Sequence, residues 1–215
     1  MTNPHARQEL EYTGASVEAS PLTVVLVHGR ALDPDYMVAN VYDRLERPDL
    51  SFVLPCADGH SWYPTSFLSP LEENEPRLTF ALERLEEVRA VLESLGRRDE
   101  EIVWLGFAQG ACLCCEYVAR SPRRFAGVIA FTGGLIGPDV DELTEPKGLD
   151  GMPMLMTTSD VDPLVPVERV EATAAAFRDG GADVELLVLH DAEHEVTDES
   201  IVIAREFLER LVDES

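Results

Sequence analysis

The most constraining feature of this sequence is the order of its apolar runs. Residues 22–27 (LTVVLV), 52–54, 102–107 (IVWLGF), 127–131 (GVIAF), 154–157 (MLMT) and 184–189 (VELLVL) are short, mostly free of polar side chains and rich in β-branched residues. A strand with one wet face alternates apolar with polar residues; these runs do not, so they are read as strands buried on both faces. Between them lie segments with helical spacing. The clearest passes through Leu78, Leu82, Leu85, Val88, Leu92 and Leu95 at steps of three and four, with Glu83, Arg84, Glu86 and Glu87 on its other side and Gly96 as its stop. Further helices are expected over residues 35–45, 111–120 (stopped by Ser121-Pro122), 167–178 and 201–212. Strand followed by helix, repeated, predicts an α/β fold: one mostly parallel sheet covered on both faces. Ligands of such sheets sit beyond the carboxyl ends of the strands, so the residues just after each strand are the candidates for chemistry.

At 215 residues the chain is long enough for one such domain. Residues 21–215 are read as that domain, and residues 1–20 as an N-terminal extension with room for a first strand or hairpin. Residues 56–76 form an irregular segment rich in aromatic residues and prolines.

Charge narrows the partners. The chain carries 41 acidic against 17 basic residues, a net of -24, and Lys147 is its only lysine. Such a surface repels nucleic acid and anionic membranes. It also repels itself, an effect that molar salt removes by shrinking the Debye length to about 3 Å. The expectation is a protein adapted to a salty cytoplasm, either a monomer or a homodimer. No run reaches the ~18 apolar residues of a membrane span, and the first eleven residues lack a signal-like apolar core. Cys56 stands alone while Cys112, Cys114 and Cys115 crowd one stretch predicted helical, which suits small packed hydrophobes better than a disulfide framework or a metal site. No metal or organic cofactor is expected.

The strand at 102–107 runs straight into Gly106-Phe107-Ala108-Gln109-Gly110 and then a helix. Glycines at both ends allow a sharp turn that lifts the central side chain clear of the sheet, the arrangement a serine esterase needs for its nucleophile. Here the central residue is Ala108, whose methyl group has no lone pair with which to attack a carbonyl.

Residues 106–113 resemble the nucleophile turn of the phospholipase/carboxylesterase family, which includes acyl-protein thioesterases and places serine at the third position. Val27-His28-Gly29-Arg30 resembles that family's oxyanion loop, Trp62-Tyr63-Pro64 with Phe67 its acyl-site segment, Asp162-Pro163-Leu164-Val165-Pro166 its acid motif, and Gly133-Gly134-Leu135 a post-strand loop; Glu73-Asn74-Glu75-Pro76 is similar to a run in bacterial members. The motifs occur in family order over nearly the whole chain from Leu22. Ala108 departs from the pattern, and so does Ala31, where many members have a second loop glycine. The resemblance implies an α/β-hydrolase fold with a minimal lid, an ester or thioester substrate, and a triad in chain order nucleophile, acid, histidine.

On that order the acid is Asp162, with Asp160 as the second choice, and the histidine is His194, placed in a loop before the last helix. His190 is read as a packed strand-end residue, His28 as a structural hydrogen-bonding residue and His5 as part of the tail. The backbone N–H groups of Arg30 and Gln109 are the expected oxyanion donors. Trp62, Tyr63, Phe67 and His60 are the candidates for substrate contact. Alanine at 108 admits three readings: a substitution that traps a bound ester in a natural serine esterase, a binding or sensing module on a hydrolase scaffold, or an Asp162–His194 general base acting without a covalent step. The otherwise complete set of acyl-transfer residues favours the first.

Overall fold

A computed structural model describes residues 2–121, 123–190 and 193–214. Its seven strands are β1 (Glu11–Gly14), β2 (Thr23–Val27), β3 (Ser51–Leu54), β4 (Ile102–Phe107), β5 (Gly127–Phe131), β6 (Pro153–Ser159) and β7 (Asp183–Leu189). They form one sheet in the order β1-β3-β2-β4-β5-β6-β7, in which only β1 is antiparallel to its neighbour. This is the mostly parallel sheet expected from the apolar runs, and it fits the α/β-hydrolase fold that the family resemblance implies. The helices are α1 (Pro34–Met37), α2 (Asp43–Leu45), α3 (Leu71–Asn74), α4 (Arg77–Ser94), α5 (Gln109–Arg120), α6 (Val167–Asp179) and α7 (Asp198–Asp213), with a wide π turn, Val38–Tyr42, joining α1 to α2. The expected stop of α5 falls partly outside the described residues, since Pro122 is not among them; Ser121 has left the helix, in extended backbone.

Strands β2 to β6 each feed two cores. Val25, Val27, Trp104, Val128, Ala130, Met154 and Met156 face a layer made by α4, α5 and α6, while Val24, Leu26, Val103, Leu105, Ile129 and Leu155 face α1, α2 and α7. This explains the missing polar alternation: period-two side chains meet helices on either side. In α4, Leu78, Leu85, Val88 and Leu92 are fully buried, each contributing roughly 1.5–3 kcal/mol. Leu95, read as part of that stripe, is 38% exposed because the helix has ended by then.

The N-terminal residues belong to this architecture. β1 pairs with β3, from Glu11 opposite Leu54 to Gly14 opposite Ser51. His5, read as tail, is fully buried: its Nδ1 accepts from the Asp58 N–H at 3.0 Å and its Nε2 donates to the Trp62 carbonyl at 3.1 Å. Among the described residues no helix is long and apolar enough to cross a membrane.

Candidate active site

The sheet reverses its winding between β2 and β4, and the loops leaving their carboxyl ends meet there. At the end of β4 the chain turns through Ala108 with φ 52 and ψ -117, a conformation non-glycine residues adopt only under strain of about 1–3 kcal/mol. Neighbours enforce it. A Cβ on Gly106 would lie 2.4 Å from the Gly110 backbone, and one on Gly110 would lie 2.1 Å from the Val27 carbonyl oxygen. Gly106 is therefore packed against the start of the following helix and Gly110 against the end of β2, so that only glycine fits on either side. The Ala108 N–H donates to the Phe131 carbonyl at 3.0 Å, tying the turn to β5 as well.

Ala108 opens into a cavity of about 590 Å³. Arg30, Tyr63, Phe67, Gln109 and His194 also line it, with Phe107, Leu164 and Val165. The expected acid and histidine are paired: His194 Nδ1 lies 2.7 Å from Asp162 Oδ2, and the Asp162 side chain has no solvent exposure. The other carboxylate oxygen, Oδ1, accepts from the N–H groups of Leu164 at 2.8 Å and Val165 at 3.0 Å. Those bonds fix the carboxylate, which in turn fixes the ring, and Phe107 lies against that ring at 5.2 Å between centroids.

Asp160 and His190 form a second pair, 2.6 Å apart, at the neighbouring ends of β6 and β7. His190 is not packed, contrary to the expectation: its side chain is 80% exposed because the ring emerges where β7 ends. Neither residue lines the cavity.

The two expected oxyanion residues meet the cavity with unequal side chains. Gln109 is buried and clamps the aromatic segment, its Oε1 accepting from the Trp62 N–H at 2.9 Å and its Nε2 donating to the Tyr63 carbonyl at 2.8 Å. Arg30 donates to the carbonyls of Pro64, at 2.6 Å, and Thr65. The loop carrying Arg30 presses on the turn, since a Cβ at Gly29 would lie 3.3 Å from the Ala108 methyl. Ala31, at the departure from the glycine pattern, has φ 59, so it holds the backbone conformation that glycine adopts more freely.

Two residues expected at the substrate are elsewhere. Trp62 is fully buried beneath the loop, its Nε1 donating to the His28 carbonyl at 2.9 Å and its ring between His5 and His28. His60 is exposed and turns its Nδ1 to the Leu32 carbonyl, 3.1 Å away, outside the cavity wall. Both serve the loop that presents Tyr63 and Phe67. His28 does so too: its Nε2 accepts from the Ala57 N–H at 3.0 Å, which leaves Nδ1 as the donor to the Gly29 carbonyl at 2.7 Å. Burial holds the pKa of both His5 and His28 down at about 4. Asn74 ties down the same loop, accepting from the Thr65 N–H at 2.9 Å and donating to the Ser66 carbonyl at 3.0 Å.

Cys112, Cys114 and Cys115 are buried free thiols along α5, and Cys112 reaches the cavity wall. Burial pushes the Cys112 pKa up to about 12, so it stays a thiol rather than a nucleophilic thiolate. Among the described residues no group of three or more His, Cys, Asp or Glu side chains is placed to hold a metal ion.

Comparison with known proteins agrees with this fold. A phospholipase/carboxylesterase family model matches residues 15–212. A phospholipase/carboxylesterase from Dyadobacter fermentans is 32% identical, with 93% of this chain and 95% of that one covered and a TM-score of 0.86. Esterase PE8 is 25% identical over 95% of this chain and 99% of its own, with a TM-score of 0.77. The Bacillus cereus carboxylesterase shares the fold at 15% identity, covering 96% of this chain and 95% of its own, with a TM-score of 0.76. No curated protein matches the chain. On the family match and the Dyadobacter likeness, this chain belongs to the phospholipase/carboxylesterase family of α/β-hydrolases.

Proposed function

We propose that this cavity is the site of a serine-type carboxylic ester hydrolase, acting on small acyl or aryl esters or thioesters, whose nucleophile position is filled by alanine. One observation carries the reading: the unexposed Asp162 orients His194 on the wall of the cavity into which the turn at 108 opens. Because Nδ1 of His194 is engaged by Asp162, its Nε2 is the nitrogen left for proton transfer.

With serine at 108, His194 takes the hydroxyl proton as the oxygen attacks the ester carbonyl, and Asp162 stabilises the imidazolium. The N–H of Gln109, first in α5 and so without an intrahelical acceptor, and the N–H of Arg30 receive the developing oxyanion. Each such donor supplies about 3 kcal/mol of transition-state stabilisation. The alcohol or thiol leaves with the proton from His194, and water then releases the acyl group by the same route. With alanine at 108 the chain binds ester but forms no acyl-enzyme. The net charge of -24 supports work in a salty cytoplasm.

The test is Ala108→Ser, assayed with p-nitrophenyl acetate and butyrate at low and at molar salt. Hydrolysis by the serine form alone is the expected result. A second reading draws on the Asp162–His194 pair being complete without any group from residue 108: turnover by the alanine form, abolished by His194→Ala, points to general-base chemistry. Tight small-molecule binding with no turnover in either form points to a sensing module.

A further inference from the structure

The charge lining the cavity is opposite to the charge of the chain. Among the described residues that line it, the only ionisable nitrogen groups are Arg30 and His194, and there is no carboxylate, although the sequence holds 41 of them. Asp162 stands behind His194 with no exposure, and Glu195 and Arg44 act on the phenol of Tyr36 without reaching the wall. The N-terminus of α5, a helix of twelve residues, adds its positive end to the same space.

Arg30 is also held in place. Its two terminal nitrogens donate to the Pro64 and Thr65 carbonyls, and its guanidinium carbon lies 6.0 Å from the centre of the Tyr63 ring. None of the ion pairs among the described residues involves it, whereas Arg89 alone meets three carboxylates. Two carbonyl bonds engage two of five N–H donors and neutralise no charge. A fixed guanidinium, exposed at the edge of the cavity and with no carboxylate partner among the described residues, suits an anion.

Resting on the ester-hydrolase reading for the bond that is cleaved, we infer that the substrate is an ester carrying a carboxylate, which Arg30 holds while the acyl carbonyl faces the turn at 108. The carboxylate is a spectator. Water adds across the acyl–oxygen bond, the acyl carbon gains the hydroxyl and the alcohol oxygen gains the proton.

The experiment uses the Ala108→Ser form in 1 M KCl, where screening removes the net repulsion of the chain. One arm places the charge on the acyl side, comparing mono-p-nitrophenyl glutarate with its methyl-capped neutral ester by p-nitrophenol release. The other places it on the alcohol side, comparing O-butyryl lactate with its methyl ester by butyrate release. In at least one arm the anion should be preferred about tenfold in kcat/KM, as expected for a hydrogen bond to a charged group. Arg30→Gln should bring that ratio to about one, and Arg30→Lys should keep it within threefold.

Cleavage of the neutral esters with no anion preference in either arm overturns the inference and leaves the hydrolase standing. So does a preference that survives Arg30→Gln. If the serine form cleaves nothing, calorimetry of the unsubstituted chain with mono-p-nitrophenyl glutarate decides. Binding lost in Arg30→Gln sustains the anion site without the hydrolase, and no binding ends both.

Discussion

Consider Asp162→Asn in the Ala108→Ser form. The wild-type carboxylate uses Oδ1 for the N–H groups of Leu164 and Val165 and Oδ2 for His194 Nδ1. An amide has one oxygen, so the variant must choose. Turning the NH₂ toward Leu164 and Val165 sets donor against donor twice in a buried place, about 1–3 kcal/mol for each orphaned group. The oxygen therefore stays with the backbone, and the NH₂ faces His194 Nδ1. That nitrogen must then be the acceptor, and the ring proton moves to Nε2, the atom meant to take the serine proton. The wrong tautomer costs about 10⁴ in kcat, close to 5.4 kcal/mol at 1.36 kcal/mol per factor of ten. Initial rates with p-nitrophenyl butyrate in 1 M KCl measure it, and KM should hardly change because the cavity wall is untouched. Asp160→Asn, at the exposed second pair, should leave kcat within twofold. A loss below tenfold for Asp162→Asn, or an equal loss for Asp160→Asn, would refute the assignment of the acid.

Acid should loosen the loop above the cavity. His5 and His28 have folded pKa values near 4, below the ordinary 6.5, so between those values the unfolded chain binds more protons and stability falls as pH drops. By pH 5 each accounts for about 2 kcal/mol. Urea titrations in 1 M KCl at pH 7 and 5 should show that loss, smaller in His28→Gln; an unchanged midpoint contradicts it. Gly110→Ala sets a methyl 2.1 Å from the Val27 carbonyl oxygen and should cost more than about 3 kcal/mol, read as a fall in thermal midpoint. A protein of net charge -24 should unfold at lower urea in 10 mM than in 1 M KCl, followed through Trp62 and Trp104 fluorescence; equal midpoints would remove the case for salt adaptation.

The sequence makes the strands and the Asp162–His194 pair legible for different reasons. β4 and β5 match their apolar runs residue for residue because burial on two faces requires apolar side chains throughout. Asp162 and His194 are found by their place after β6 and before α7, where the fold brings strand ends together. β1 is only faintly legible: the first twenty residues leave room for a strand, but Glu11–Gly14 is mostly exposed and becomes one by pairing with β3. The same limit hides His5, whose burial depends on a loop more than fifty residues away. It also misplaces Trp62 and His60: an aromatic-rich loop announces itself in the sequence, but which rings face the cavity depends on the side chains of Gln109 and Asn74. The available signal is the glutamine beside the turn, whose side chain reaches that loop.

The tie between His5 and the loop reaches beyond stability. A purification tag spliced in place of the opening residues, or a shortened version begun at β2, removes the imidazole on which the Asp58 N–H and the Trp62 carbonyl depend. Kinetics gathered on such a trimmed protein would describe a cavity with a slackened rim, and a weak or unselective enzyme in that assay would reflect where the gene was cut.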